Sequence, residues 1–140
     1  MTLHDVNVLV YAFRSDSPYF QQARAALESS RASGESVLFS PTVAASFVRI
    51  VTNVRIFREP ASASEAWSFL DIYQDHPAVR FTDIDEMTYG IFRHLALTGG
   101  ENGNAVPDAM LAALAIRYDA VFVTADTGFR RYPGLKLQLL

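Results

Sequence analysis

Three aspartates fall where a protein of alternating strands and helices does its chemistry. Asp5 follows the first apolar strand segment. Asp126 comes two residues after Thr124, at the end of a later one. Asp108 opens the Ala-rich helix that leads into that later strand. The three are far apart in the chain, yet a parallel sheet would gather them at one edge. Clustered carboxylates repel and raise one another's pKa values, and a divalent cation relieves the repulsion. Mg²⁺ suits such a place, because it is hard, prefers oxygen and binds through one or two carboxylates plus substrate phosphate. That chemistry activates a water and clamps a phosphodiester for in-line displacement. Each acid also has an ordinary structural use. Asp5 can close a turn, Asp108 can favour the start of a helix after Pro107, and Asp126 can cap a short helix over Thr127 to Arg131.

The elements that must position these acids read as short apolar strands between longer amphipathic helices. Strands are expected at Leu3 to Asp5, Ser36 to Phe39, Val79 to Phe81, Val121 to Thr124 and Leu135 to Leu139. Val6 to Phe13 is apolar and too short for periodicity to decide between strand and helix. Ser17 and Pro18 announce a helix over Tyr19 to Ser30, and Ser40 and Pro41 announce one over Thr42 to Thr52. Ser62 or Ser64 caps a helix over Glu65 to Gln74, and Asp83 or Asp85 caps one running to Leu97. Asp108 to Tyr118 is the last helix. Strands separated by helices imply βαβ units: an α/β domain in three layers, with a central, mostly parallel sheet of about five short strands flanked by helices. Ligands of such sheets bind outside the carboxyl ends of the strands.

A chain of 140 residues, half of them hydrophobic, fits one domain spanning 1–140. With no cysteine there is no disulfide, no zinc–thiolate site and no thiol catalysis. The apolar start carries His4 and Asp5 and lacks a basic leader pattern, and no apolar run is long enough for a membrane helix, so a cytoplasmic setting is expected. The net charge of −3 does not announce a nucleic-acid binder. The kind of base is more telling, since Lys136 is the single lysine and the other basic residues are arginines, whose planar fork suits phosphate.

Other chemistries fit poorly. An aspartyl-phosphate enzyme needs a lysine near its nucleophile, and Lys136 lies near the C-terminus. A metal-free histidine nuclease needs two working histidines, and His4, His76 and His94 are scattered. Gly99, Gly100 and Gly103 are not followed by the Lys-Ser/Thr of a phosphate-binding loop.

Four segments, in order and spanning nearly the whole chain, resemble the motifs of PIN-domain proteins of the VapC toxin type. They are Leu3-His4-Asp5-Val6-Asn7, Phe47-Val48-Arg49 through Asn53 to Phe57, Val106-Pro107-Asp108-Ala109, and Val123-Thr124-Ala125-Asp126 with Phe129 and Tyr132 to Leu135. The resemblance implies an endoribonuclease dependent on Mg²⁺, with Mn²⁺ able to substitute, held inactive by a cognate VapB-type antitoxin. It implies that Asp5, Asp108 and Asp126 are the catalytic acids and metal ligands, supported by Asn7 and Thr124. It also implies a homodimer, a groove for an antitoxin segment, and a transfer or ribosomal RNA substrate. One position departs from the pattern: Ser46 stands where the second motif usually holds an acid, three residues before Arg49. That departure favours one tightly held metal over two. It also opens a second reading, a catalytically weak or inactive RNA- or partner-binding module. Arg49, Arg55 and Arg58 flank the second motif and Arg130 and Arg131 follow the fourth, which makes them candidate contacts to RNA phosphates.

Overall fold

The computed structural model describes all residues, 1–140. In chain order the elements are β1 (Thr2–His4), α1 (Val6–Phe13), α2 (Phe20–Ala32), β2 (Val37–Phe39), α3 (Pro41–Val51) and α4 (Ala63–Gln74). There follow β3 (Val79–Phe81), α5 (Glu86–Gly99), α6 (Ala105–Arg117), β4 (Val121–Thr124), a 3-10 turn (Thr127–Arg131) and β5 (Lys136–Leu139). The five strands form one sheet in the order β3-β2-β1-β4-β5, and every pairing is parallel. No helix is long and apolar enough to cross a membrane.

The order of the strands places the site. From β1 the chain steps outward to β2 and β3, then returns through α5 and α6 to lay β4 on the other side of β1. The direction of winding therefore reverses between β1 and β4, and a crevice opens at their carboxyl ends. Right-handed crossovers put the two sets of helices on opposite faces of the sheet. Helix α1 packs on α2 and α3, α3 packs on α4, and α5 packs on α6. The core is continuous, with Leu3, Leu9, Phe47, Leu70, Leu114, Phe122 and Phe129 all fully buried.

The sequence between Val6 and Phe13 is helical. Asp5 donates its amide to the Val123 carbonyl at 2.9 Å, the last rung of the β1–β4 ladder. Beyond that rung α1 satisfies its own backbone and buries Val6, Val8, Leu9, Val10 and Ala12. Ser40 is the buried N-cap of α3 with Pro41 at its first position, and Ser62 with Glu65 forms a reciprocal capping box at the start of α4. Asp85 caps α5, accepting from the Thr88 amide at 2.8 Å, and binds Arg117 near the end of α6 at 2.8 Å. Several boundaries shift by a few residues from expectation, and two of the shifts have a local cause. Helix α2 starts at Phe20, because the Ser17 hydroxyl is taken by the Tyr19 amide in a turn ahead of it. Helix α6 starts at Ala105, which leaves Pro107 in the first turn, where a missing N–H costs nothing.

A buried polar chain fixes the end of β1. Ser30 Oγ donates to the Ala26 carbonyl at 2.9 Å, so it must accept from His4 Nε2, 3.0 Å away. His4 therefore carries its proton on Nε2, and Nδ1 accepts from the Tyr73 hydroxyl at 2.8 Å. Burial, helped by the Arg31 charge, pushes His4 down to about 3, so the ring is neutral. Through this ring β1 is joined to both α2 and α4. Tyr73→Phe would leave Nδ1 buried without a donor, and a loss of about 1–3 kcal/mol is expected in urea unfolding; an unchanged midpoint would show that the bond carries no net stability.

Candidate active site

Asp5 occupies the N-cap position of α1 but makes no capping hydrogen bond. Its carboxylate turns instead toward β4. Asp5 Oδ2 accepts from Thr124 Oγ1 at 2.5 Å and from Asn7 Nδ2 at 2.7 Å. The Thr124 hydroxyl has one proton and gives it to Asp5, so it acts as acceptor toward Asn7 Nδ2 and the Asp126 amide, both at 3.0 Å. Asn7 Oδ1 accepts from the Ala125 amide at 3.2 Å, which sets the orientation of the side-chain amide. Residues just beyond β1 and β4 are thus locked together. Both side-chain bonds to Asp5 fall on Oδ2, and Oδ1 receives none.

Asp5 is only 6% exposed. Burial pushes its carboxyl up to about 6, against the hydrogen bonds from Thr124 and the Val6 amide, and the charges of Asp108 and Asp126 push it further in the same direction. Asp108 is raised by partial burial, with Arg131 opposing. Asp126 is exposed and its Oδ1 caps the 3-10 turn, accepting from the Gly128 amide at 2.7 Å. The three acids share one field, yet no three acidic or histidine side chains converge into a ready-made cation cage. The donor set is all oxygen, and a buried carboxylate with one oxygen free of side-chain partners beside two further acids fits a hard divalent ion. Asp5 and Asp108 are the residues that would hold it, with Asp126 alongside.

The other sequence candidates are spread more widely. Ser46 is half-buried on α3, beside the buried Phe47, and no hydrogen bond joins it to the acids. Arg49, Arg55, Arg58 and Arg130 are exposed. Arg49 lines a largely apolar cleft of about 490 Å³ between α3 and α4, with Trp67 and Phe81. Arg131 departs from the expected phosphate contact, because its guanidinium is spent on internal partners. It bonds Glu101 Oε1 at 2.8 Å, Asp108 Oδ2 at 3.0 Å, the Gly128 carbonyl at 2.9 Å and the Tyr132 hydroxyl at 2.8 Å. Glu101, an acid in the glycine loop before α6, was not singled out from the sequence. No periodicity marks it, and the one available signal was an acid just ahead of the third motif. His4 is buried and neutral, and His76 Nδ1 is used by the Ala78 amide.

The chain is similar to known proteins along nearly its whole length. The PIN-domain family model matches residues 3–135. Ribonuclease VapC43 of Mycobacterium tuberculosis is 39% identical over 132 residues, covering 94% of this chain and 90% of that protein. Ribonuclease VapC31 of the same species is 31% identical over 136 residues, covering 97% and 96%. The chain belongs to the VapC family of PIN-domain proteins. Among solved structures, VapBC2 from Rickettsia felis bound to a promoter DNA fragment superimposes with a TM-score of 0.74 at 20% identity, covering 99% of this chain and 97% of that one. FitAcB from Neisseria gonorrhoeae does so with 0.66 at 22% identity, covering 98% and 96%. These two show the fold.

The raised Asp5 pKa has a stability consequence. Asp5 holds its proton more tightly folded than unfolded, so its contribution is complete below about pH 4 and is lost as the pH rises through about 6. In EDTA, Asp5→Asn is expected to be more stable than the parent at pH 7.5, by about 1–3 kcal/mol, with the gap closing toward pH 4. A gap that does not change with pH would mean that Asp5 carries no such penalty.

Proposed function

We propose that this chain is a Mg²⁺-dependent endoribonuclease, with Mn²⁺ able to substitute, and that it acts in the cytoplasm as the toxin of a type II toxin–antitoxin pair. One observation carries the reading: a buried carboxylate at the switch point, locked through one oxygen and flanked by two further acids. A divalent cation among these acids supplies a water of lowered pKa and a clamp for phosphate oxygens. The chain's own contribution is orientation. Thr124 and Asn7 hold Asp5 Oδ2, so Oδ1 keeps a fixed direction without having to be ordered at the moment of binding. Ser46 leaves the site one acid short of the family pattern, which favours a single tightly held ion.

The relatives named as ribonucleases support RNA as substrate, and a transfer or ribosomal RNA loop is the proposed class. Solved neighbours described as a VapBC structure and a toxin–antitoxin complex support a VapB-type antitoxin as partner. The apolar cleft rimmed by Arg49 and Trp67 is a suitable seat for an antitoxin segment. A homodimer is proposed with it.

The deciding experiment is cleavage of total cellular RNA by the purified protein with Mg²⁺, Mn²⁺ or EDTA. Discrete cuts that need metal are expected, and Asp5→Asn and Asp108→Asn should each lower the rate by about two orders of magnitude or more. RNA that shifts in a gel but is never cut would favour the binding-module reading and point to Ser46. For substrate binding by Asp108→Asn, the further change Arg55→Ala should lower the salt slope by about 0.7. An unchanged slope would remove Arg55 from the phosphate contacts.

A further inference from the structure

Arg131 is placed unlike any other arginine of the chain. It bridges two carboxylates, Glu101 and Asp108, and a third bond returns to the carbonyl of Gly128. Gly128 in turn donates its amide to Asp126. One guanidinium thus joins the first turn of α6, the loop after α5 and the turn that carries Asp126. Two glycines make room for it. A Cβ on Gly128 would come within 2.9 Å of Asp126 Oδ1 and 3.0 Å of Arg131 Nη1, and one on Gly99 within 3.2 Å of Glu101 Oε1. Gly100, at φ 63°, reverses the chain at the end of α5 and brings Glu101 back to Ala96, whose carbonyl takes its amide at 2.9 Å. The Glu101 side chain is 7% exposed and its Oε1 accepts from Arg131 Nε.

We propose that Arg131 is a built-in competitor at the cation site: clamped by Glu101, it holds Asp108 in the metal-free protein and is the internal cation that a divalent ion must displace from that carboxylate. The inference rests on the metal reading above. It accounts for a site rich in acids in which no three converge. The fork of Arg matters here. Only a planar guanidinium can span Glu101, Asp108 and the Gly128 carbonyl together, whereas an ammonium is a single point of charge.

The test is calorimetric titration of the full-length, EDTA-stripped protein with MnCl₂. Arg131→Lys keeps the charge and loses the fork, and Arg131→Gln loses both. Both are expected to tighten Mn²⁺ binding by about three- to tenfold. If Arg131→Lys binds like the parent while Arg131→Gln binds more tightly, charge alone is at work and the proposal is overturned; weaker binding by both overturns it too. In the unsubstituted protein, the Arg131 Nε–H resonance should move on addition of Mg²⁺ and saturate with it, and a resonance that stays still at saturation also overturns the proposal, whatever the variants do. Should the unsubstituted protein bind neither ion, the metal reading fails and this inference with it. Ion binding by the parent, unchanged in both variants, removes this inference alone.

Discussion

The proton of the Thr124 hydroxyl is the point on which the site turns. It closes the bond between the end of β4 and the carboxylate that follows β1. Everything larger serves that contact. The all-parallel sheet places the two strand ends side by side, and the reversal of winding between them leaves the crevice open above. Buried helices hold the strands in register, and the His4 ring ties β1 to α2 and α4 one residue before the acid. A buried carboxylate is costly to ionise. The molecule lessens that cost with two donors on one oxygen and leaves the other oxygen without a side-chain partner.

Much of this was legible in the sequence because the signals were local. The acids announced themselves by following apolar strands, and Ser40, Ser62 and Asp85 by preceding helices. Asn7 and Thr124 were suggested by motif position, and the structure places both against Asp5. Val6 to Phe13 was not decidable. A helix enclosed by neighbours is apolar nearly all round, so the period that would distinguish it from a strand is erased. Helix α6 begins three residues ahead of Asp108, because Pro107 reads as a beginning although it is tolerated anywhere in a first turn.

Glu101 and the use made of Arg131 were not legible, for a different reason. Their meeting depends on a left-handed glycine, a loop return to Ala96 and a turn folded over a second glycine. None of these has a pattern that survives in one dimension. An arginine beside an acidic motif looks the same in sequence whether it faces a phosphate or a neighbouring carboxylate. Charge counting alone therefore overstates the basic surface left free, since of the two arginines after Asp126 only Arg130 is left without internal partners.

The bond between Thr124 and Asp5 joins residues 119 positions apart. A ribosome makes about 5–20 residues per second, so roughly 6–24 seconds separate the synthesis of the two. During that interval the N-terminal acid exists without its partner strand, and the centre of the sheet lacks one of its neighbours. A site divided between the two ends of a chain stays unassembled through most of translation. The acids are first brought together when the last strands emerge, by connectivity alone.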